Sequence, residues 1–147
     1  MPVHGEYEHS SAGWVRDQVA EYEASRGSRA NTLRDTGLPV VIVTMRGQRS
    51  GKVRKIPVMR VEHGGQYAIV ASKGGTPENP GWYHNLVANP TEVMVQDGPE
   101  PFDVAVRELT GRERDEWWAR AVEAYPEYAT YQTRTSRVIP IFLATPV

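Results

Sequence analysis

The chain contains no cysteine, which excludes disulfides and thiolate chemistry together. Long apolar runs are missing too, and none approaches the roughly 18 residues that a membrane-spanning helix needs. The first ten residues hold His4, Glu6, Glu8 and His9 and no apolar core, so no secretory signal is expected there. His4, His9, His63 and His84 are scattered without the spacing of metal ligands, and no metal site is expected. There is no Walker-type loop and no dinucleotide-type glycine fingerprint. There is no nucleophile elbow, and no close carboxylate pair stands in a glycine-rich context. A net charge of −1 argues against a general nucleic-acid binder. What is left is an ordinary composition, 39% hydrophobic and 24% charged, in 147 residues. That length is about one domain with a real core, expected to be soluble and cytoplasmic.

One further absence is local. Between Thr44 and Val61 there is no acidic residue, whereas Arg46, Arg49, Lys52, Arg54, Lys55 and Arg60 all fall there. The segment also carries Gly47, Ser50 and Gly51 and lies between two apolar stretches. A strand–loop–strand with a glycine-containing basic loop suits an anion, because exposed backbone N–H groups and fixed cations both favour one. Without an anion, six like charges would repel one another. The alternative is a solvated hairpin whose cations serve only solubility.

Periodicity gives the elements. A helix is expected over 11–26, with Ser10 or Ser11 as cap and Trp14, Val15, Val19 and Tyr22 recurring at helical spacing. Residues 1–9 read as a loose tail and 27–38 as a polar connection. Val40 to Val43 is a β-branched strand, and Lys55 to Val61 is a second with Pro57 at an edge or bulge. Gly64-Gly65 turns the chain into a returning strand, Gln66 to Ala71. Asn79-Pro80 opens a short helix, with the proline at its first position. Strands follow at Glu92 to Gln96 and Phe102 to Leu109. A capping box of Thr110 and Glu113 then starts a helix striped by Trp117, Trp118, Ala121, Val122 and Tyr125. Val138 to Ala144 closes the chain as a strand. Hairpins dominate and strand–helix–strand alternation is absent, so the fold class is α+β, mainly β: an antiparallel sheet or barrel of about six strands with packed helices. The division is an N-terminal tail and helix over 1–38 and a β-rich body over 39–147, within a single domain.

Two more constellations could carry chemistry. Ala71-Ser72-Lys73-Gly74-Gly75, followed by Asn79-Pro80-Gly81-Trp82-Tyr83, puts glycines at a strand end, where backbone can approach a flat ligand closely. The helix after it offers free N–H groups. The bland reading is a connecting loop. Tyr125, Tyr128 and Tyr131 are spaced by three and would share one face of a helical turn. Tyr125 continues the apolar stripe and reads as core. Tyr128 and Tyr131 lie beyond Pro126 and could wall a pocket. A site with anion-holding loops, aromatic walls and few strong acids or bases suggests that a cofactor carries the reaction.

These three stretches, in this order, resemble one family. Thr44-Met45-Arg46-Gly47-Gln48-Arg49-Ser50-Gly51-Lys52-Val53-Arg54-Lys55-Ile56-Pro57 is similar to the basic motif of the deazaflavin-dependent nitroreductases, also called the F-420-dependent quinone reductases. Residues 71–75, 79–86 and Asn89-Pro90 resemble its second motif and sequel. Residues 125–132, with Arg137 to Pro140 following, resemble its C-terminal tyrosine segment. The likeness runs from about Pro39 to the end. It implies a split β-barrel and coenzyme F-420, an 8-hydroxy-5-deazaflavin with a polyanionic phosphate-linked tail.

Carried over residue by residue, the resemblance implies that Arg49, Ser50, Gly51, Arg54, Lys55 and Pro57 line the phosphate and tail site. Ala71, Ser72, Lys73, Gly74, Trp82 and Asn85 would cradle the ring, and Ser72, Tyr128 and Tyr131 would face the electron acceptor as the catalytic candidates. Gln48 stands in place of one of the family's basic pair and is not carried over as a contact. The expected activity is hydride transfer from reduced F-420 to a quinone, nitroaromatic or activated enone. The alternatives are an FMN-dependent split-barrel oxidoreductase, since FMN also joins a phosphate to a flat ring, and a non-catalytic F-420-binding or storage protein. Nucleic acid is not expected as a partner, because residues 44–61 hold no aromatic to stack on a base. The expectation is a monomer. A quinone acceptor leaves open peripheral contact with the inner face of a membrane through the helix around Trp14 to Tyr22.

Overall fold

The computed structural model describes residues 3–33 and 36–147. Met1 and Pro2 of the expected tail, and Arg34 and Asp35 of the expected connection, lie outside the described residues. The elements in chain order are α1 (Gly13–Ala24), β1 (Val40–Arg46), β2 (Val53–Met59), β3 (Glu62–His63), β4 (Gln66–Val70), α2 (Gly81–Ala88), β5 (Val93–Gln96), β6 (Pro101–Glu108), α3 (Gly111–Ala124), α4 (Glu127–Thr133) and β7 (Ile141–Pro146). The seven strands form one sheet in the order β2-β1-β5-β6-β7-β4-β3, with every pairing antiparallel. The seventh, beyond the six expected, is the two-residue β3, which the Gly64-Gly65 turn folds back on β4.

Alternation along these strands gives the sheet two buried faces. One carries Val41, Val43, Met45, Val93, Val95, Val104, Val106, Ile69 and Phe142, with Leu86 of α2 plugged into it. The other carries Ala68, Val70, Ile141 and Leu143 and is covered by Trp117 and Ala121 of α3. The sheet curls until β2 and β4 come into contact, although no hydrogen-bonded ladder joins them among the described residues. That unpaired seam is the split of a split β-barrel. α1 packs Val19 and Tyr22 onto Ile42 and lies against β2 beside the split. No helix of the described residues is long and apolar enough to cross a membrane.

Several boundaries move for identifiable reasons. β2 starts at Val53 rather than Lys55, because Val53 is held on both sides: it pairs with Arg46, its N–H donates to the Glu6 carbonyl (2.8 Å), and its carbonyl accepts from Glu8 N–H (2.9 Å). The supposed loose tail is therefore pinned to the sheet edge near Tyr7. The Thr110–Glu113 capping box does not form. Thr110 makes no side-chain cap bond, and both Glu113 carboxylate oxygens accept from Arg107 instead (2.8 and 2.6 Å). α2 begins at Gly81 with Pro80 at its flank, one residue later than expected, and Asn79 is engaged elsewhere. β7 starts at Ile141 rather than Val138, since Val138 is exposed and Pro140 instead accepts from Ala71 N–H (2.9 Å).

Candidate functional site

The turn between β1 and β2 is closed by Gly47 N–H to the Lys52 carbonyl (2.7 Å) and Gly51 N–H to the Gly47 carbonyl (3.0 Å). Gly51 has φ +70°, where a side chain would be strained. The turn is tied to α2 as well, because Gln48 N–H donates to Asn85 Oδ1 (2.9 Å).

Its cations are not the uncompensated cluster that the local sequence suggests. Arg46 pairs with Glu92 (3.0 Å), Lys52 with Glu6 (3.7 Å), Arg54 with Glu8 (3.2 Å), Lys55 with Glu23 (2.5 Å) and Arg60 with Asp97 (2.9 Å). The counter-charges come from the tail, from α1 and from the residues flanking β5, which the sequence of residues 44–61 alone does not reveal. Among the described residues Arg49 has no ion pair. These pairs relieve the mutual repulsion, so an anion would be held by whichever cations face a common cavity.

Two do. A cavity of about 780 Å³ is lined by Gly47, Gln48, Arg49, Ser50 and Arg54 of the turn and β2, by Gly81, Trp82, His84 and Asn85 of α2, and by Glu8, Ser10 and Ile56. Its polar groups are mostly donors, with Glu8 as the acidic exception. A second cavity of about 660 Å³ lies along the split. Its walls are Ile56, Pro57, Val58 and Met59 of β2, Ser72, Lys73 and Gly74 after β4, Trp14 and Val15 of α1, and Tyr125, Tyr128 and Tyr131. Ser10, Ile56 and Trp82 belong to both, so the two cavities are adjoining halves of one groove.

The loop after β4 is shaped by positive φ at three consecutive residues, Lys73 (+45°), Gly74 (+65°) and Gly75 (+80°). A Cβ on Gly74 would meet nothing, whereas one on Gly75 would stand 2.4 Å from the Tyr131 carbonyl oxygen. Gly74 thus leaves open space, and Gly75 lets the loop close on α4. The three tyrosines cluster edge to face, with centroids 5.0 Å (Tyr125–Tyr128), 5.9 Å (Tyr125–Tyr131) and 6.3 Å (Tyr128–Tyr131) apart. The Tyr125 and Tyr131 hydroxyls share a hydrogen bond of 2.9 Å. Burial, and then that bond, push the Tyr125 phenol up to about 12. Burial likewise pushes Tyr128 upward. At neutral pH both carry their protons, so the cluster can donate.

The sequence-derived residues distribute unevenly. Arg49, Ser50, Arg54 and Asn85 line the first cavity, and Trp82 lines both. Pro57, Ser72, Lys73, Gly74, Tyr128 and Tyr131 line the second, which puts Pro57 beside the ring candidates rather than the phosphate ones. Gly51, Lys55 and Ala71 line neither. Gly51 gives its carbonyl to Arg46 (2.8 Å), Lys55 alternates away from Arg54 toward Glu23 and the Tyr7 ring, and Ala71 is fully buried. Lining residues that were not site candidates in the sequence include Gln48, Glu8, Ser10, Trp14, Ile56, His84 and Tyr125. For Tyr125 the spacing by three was the signal, overridden by its place on an apolar stripe.

A curled antiparallel barrel with a donor-rich cavity beside an aromatic one defines a split-barrel protein built for a flat ligand with an anionic appendage. The chain belongs to the "F420H(2)-dependent quinone reductase" family, whose model matches residues 14–146. It is 38% identical over 112 residues to an F-420-dependent quinone reductase of Mycobacterium tuberculosis, which covers 73% of each chain. Among solved structures, it is similar to an F-420-H2-dependent reductase at 57% identity and a TM-score of 0.68, over 72% of this chain and 93% of the other. It is also similar to a protein described as a domain-swapped dimer, at 50% identity and a TM-score of 0.72, over 92% of this chain and 99% of the other.

Proposed function

We infer that this chain is an oxidoreductase that moves a hydride from reduced coenzyme F-420 to a quinone. The observation that carries the reading is the joined pair of cavities, one rich in donors and the other apolar with hydroxyls at its rim, in a chain of this family. The residues present suit the coenzyme: Arg49, Arg54, the Ser50 hydroxyl and the turn backbone answer a polyanionic tail. The open space at Gly74 beside Trp82 answers a flat ring. When bound, the deazaflavin supplies the hydride.

The protein's own part is binding, orientation and a proton. Arg49, Ser50 and Arg54 hold the appendage, and Ser72, Lys73, Gly74 and Trp82 bracket the ring. Reduction of a quinone to a hydroquinone needs a proton as well as a hydride. Tyr125 and Tyr131 share one hydrogen bond, so only one of their two hydroxyl protons lies between them and the other is free to point outward. Ser72 adds a third hydroxyl and Tyr128 a fourth on the same cavity. A mostly apolar lining lowers the local dielectric, which strengthens each donor. Nitroaromatics and activated enones, planar and electron-poor, belong to the same acceptor class. The exposed Trp14 beside the second cavity supports membrane contact by the same reading, because a lipid-borne quinone has to reach it.

The test is titration with oxidised and reduced F-420 beside FMN and NADPH, followed by a panel of quinone, nitroaromatic and enone acceptors. Saturable binding of F-420 alone and reduction of a quinone are expected. Tight FMN binding without F-420 binding would overturn the cofactor, and F-420 binding with no acceptor reduced would leave a storage protein.

A further inference from the structure

Arg137 lines neither cavity, yet its guanidinium organises the loop that walls the second one. Nη2 donates to the Ser72 carbonyl (2.7 Å), Nη1 to Asn79 Oδ1 (2.8 Å) and to the Ala71 carbonyl (3.2 Å), and Nε to the Thr76 carbonyl (2.9 Å). No carboxylate among the described residues pairs with it, so its hydrogen bonds go to neutral acceptors on one loop and on the residue that leads into α2. This loop needs such a hold. Lys73, Gly74 and Gly75 all have positive φ, and for Lys73 that conformation is costly and persists only when its surroundings over-determine it. Arg137 is itself braced from α4: Gln132 Nε2 donates to the Arg137 carbonyl (2.7 Å), and Ile139 N–H donates to Gln132 Oε1 (3.1 Å).

We propose that Arg137 is a positioning residue for this reaction. Braced on the tyrosine helix, it fixes Ser72, Lys73 and Gly74 at a set separation from Tyr128 and Tyr131, and so sets the width of the slot that takes the ring and the acceptor. The inference rests on the proposed function for what fills the slot, and on the geometry alone for the hold on the loop. A planar fork with donors in three directions can make these bonds together. A lysine ammonium, a point charge on a flexible stem, cannot span them.

The test compares Arg137→Gln and Arg137→Lys with the parent chain. Without any ligand, tryptic cleavage after Lys73 is expected to quicken about tenfold in both variants, because cleavage follows the open population of the loop. Affinity for oxidised F-420 is expected to fall about tenfold, since the ring wall is no longer preorganised. Inhibition by inorganic phosphate, a probe of the cationic turn only, stays as in the parent, as does the melting temperature. Parental cleavage at Lys73 and parental F-420 affinity in Arg137→Gln would overturn the proposal. So would full rescue by Arg137→Lys, which would make charge and not the fork the operative property. Equal loss of the phosphate and F-420 responses with a collapsed melting temperature would reduce Arg137 to a fold-stabilising role. Should Arg137→Gln not fold, Asn79→Ala removes one acceptor and must still quicken cleavage at Lys73. If the parent binds no F-420 while Lys73 protection still depends on Arg137, the functional reading fails and the hold on the loop stands.

Discussion

Glu8 places a carboxylate inside the cavity that Arg49 and Arg54 face, and pairs with Arg54 at 3.2 Å. An anionic ligand would have to share Arg54 with it. Both partners are more than a third exposed, so the pair is worth little, about 0.5–1 kcal/mol after screening. Glu8→Gln removes the competing charge and leaves the shape. The expected result is F-420 affinity raised about two- to fivefold at low salt, with the gain shrinking as salt rises. Weaker binding in Glu8→Gln would mean that the carboxylate serves the site instead of opposing it. Single residues were the level most legible in the sequence where a motif named them and least where contacts did. Arg49, Arg54, Ser72 and Tyr131 follow from local pattern. Glu8 does not, because only the tail's pairing with Val53 brings it to Arg54.

Loops and helices are held to one another by contacts that their own sequences do not specify. The loop after β4 meets α4 where a Cβ on Gly75 would lie 2.4 Å from the Tyr131 carbonyl and 2.9 Å from its Cα. Both neighbours are backbone, so neither can swing aside. Gly75→Ala is therefore expected to cost about 2–3 kcal/mol, from the positive φ and the clash together, read as a lower denaturant midpoint at unchanged slope. Gly74→Ala, at similar φ but in open space, should cost only about 1 kcal/mol. Equal costs at the two positions would remove the close approach as the reason for Gly75. The Gly74-Gly75 pair was visible in the sequence as a break, but which glycine is irreplaceable depends on α4. The capping box shows the converse. Thr110 and Glu113 have the right spacing, and a better partner in Arg107 took the glutamate.

At the level of the whole molecule, turn signals and the absence of strand–helix–strand alternation were enough for an antiparallel α+β body with its helices outside. The strand order was not legible. β1 beside β5 and β4 beside β7 are long-range pairings that no local turn dictates, and they put the split between β2 and β4. The same closure buries phenols. Burial pushes Tyr22, Tyr67, Tyr125 and Tyr128 above the ordinary value of 10.0, Tyr125 to about 12. Below pH 10 folded and unfolded chains both hold these protons and stability is indifferent to them. Between pH 10 and about 12 the unfolded chain releases protons that the native chain still holds, so stability falls as pH rises through that window. The phenolate absorbance of these four tyrosines should accordingly rise in one cooperative step together with loss of circular dichroism. Gradual ionisation of all the tyrosines around pH 10 with the fold intact would contradict this burial.

Trp82 is a wall of both cavities, and its indole stands where one gives way to the other. Occupancy on either side therefore changes what lies against the same fluorophore. The molecule carries its own optical reporter, and quenching of its native emission could follow arrival at either end of the groove without any label.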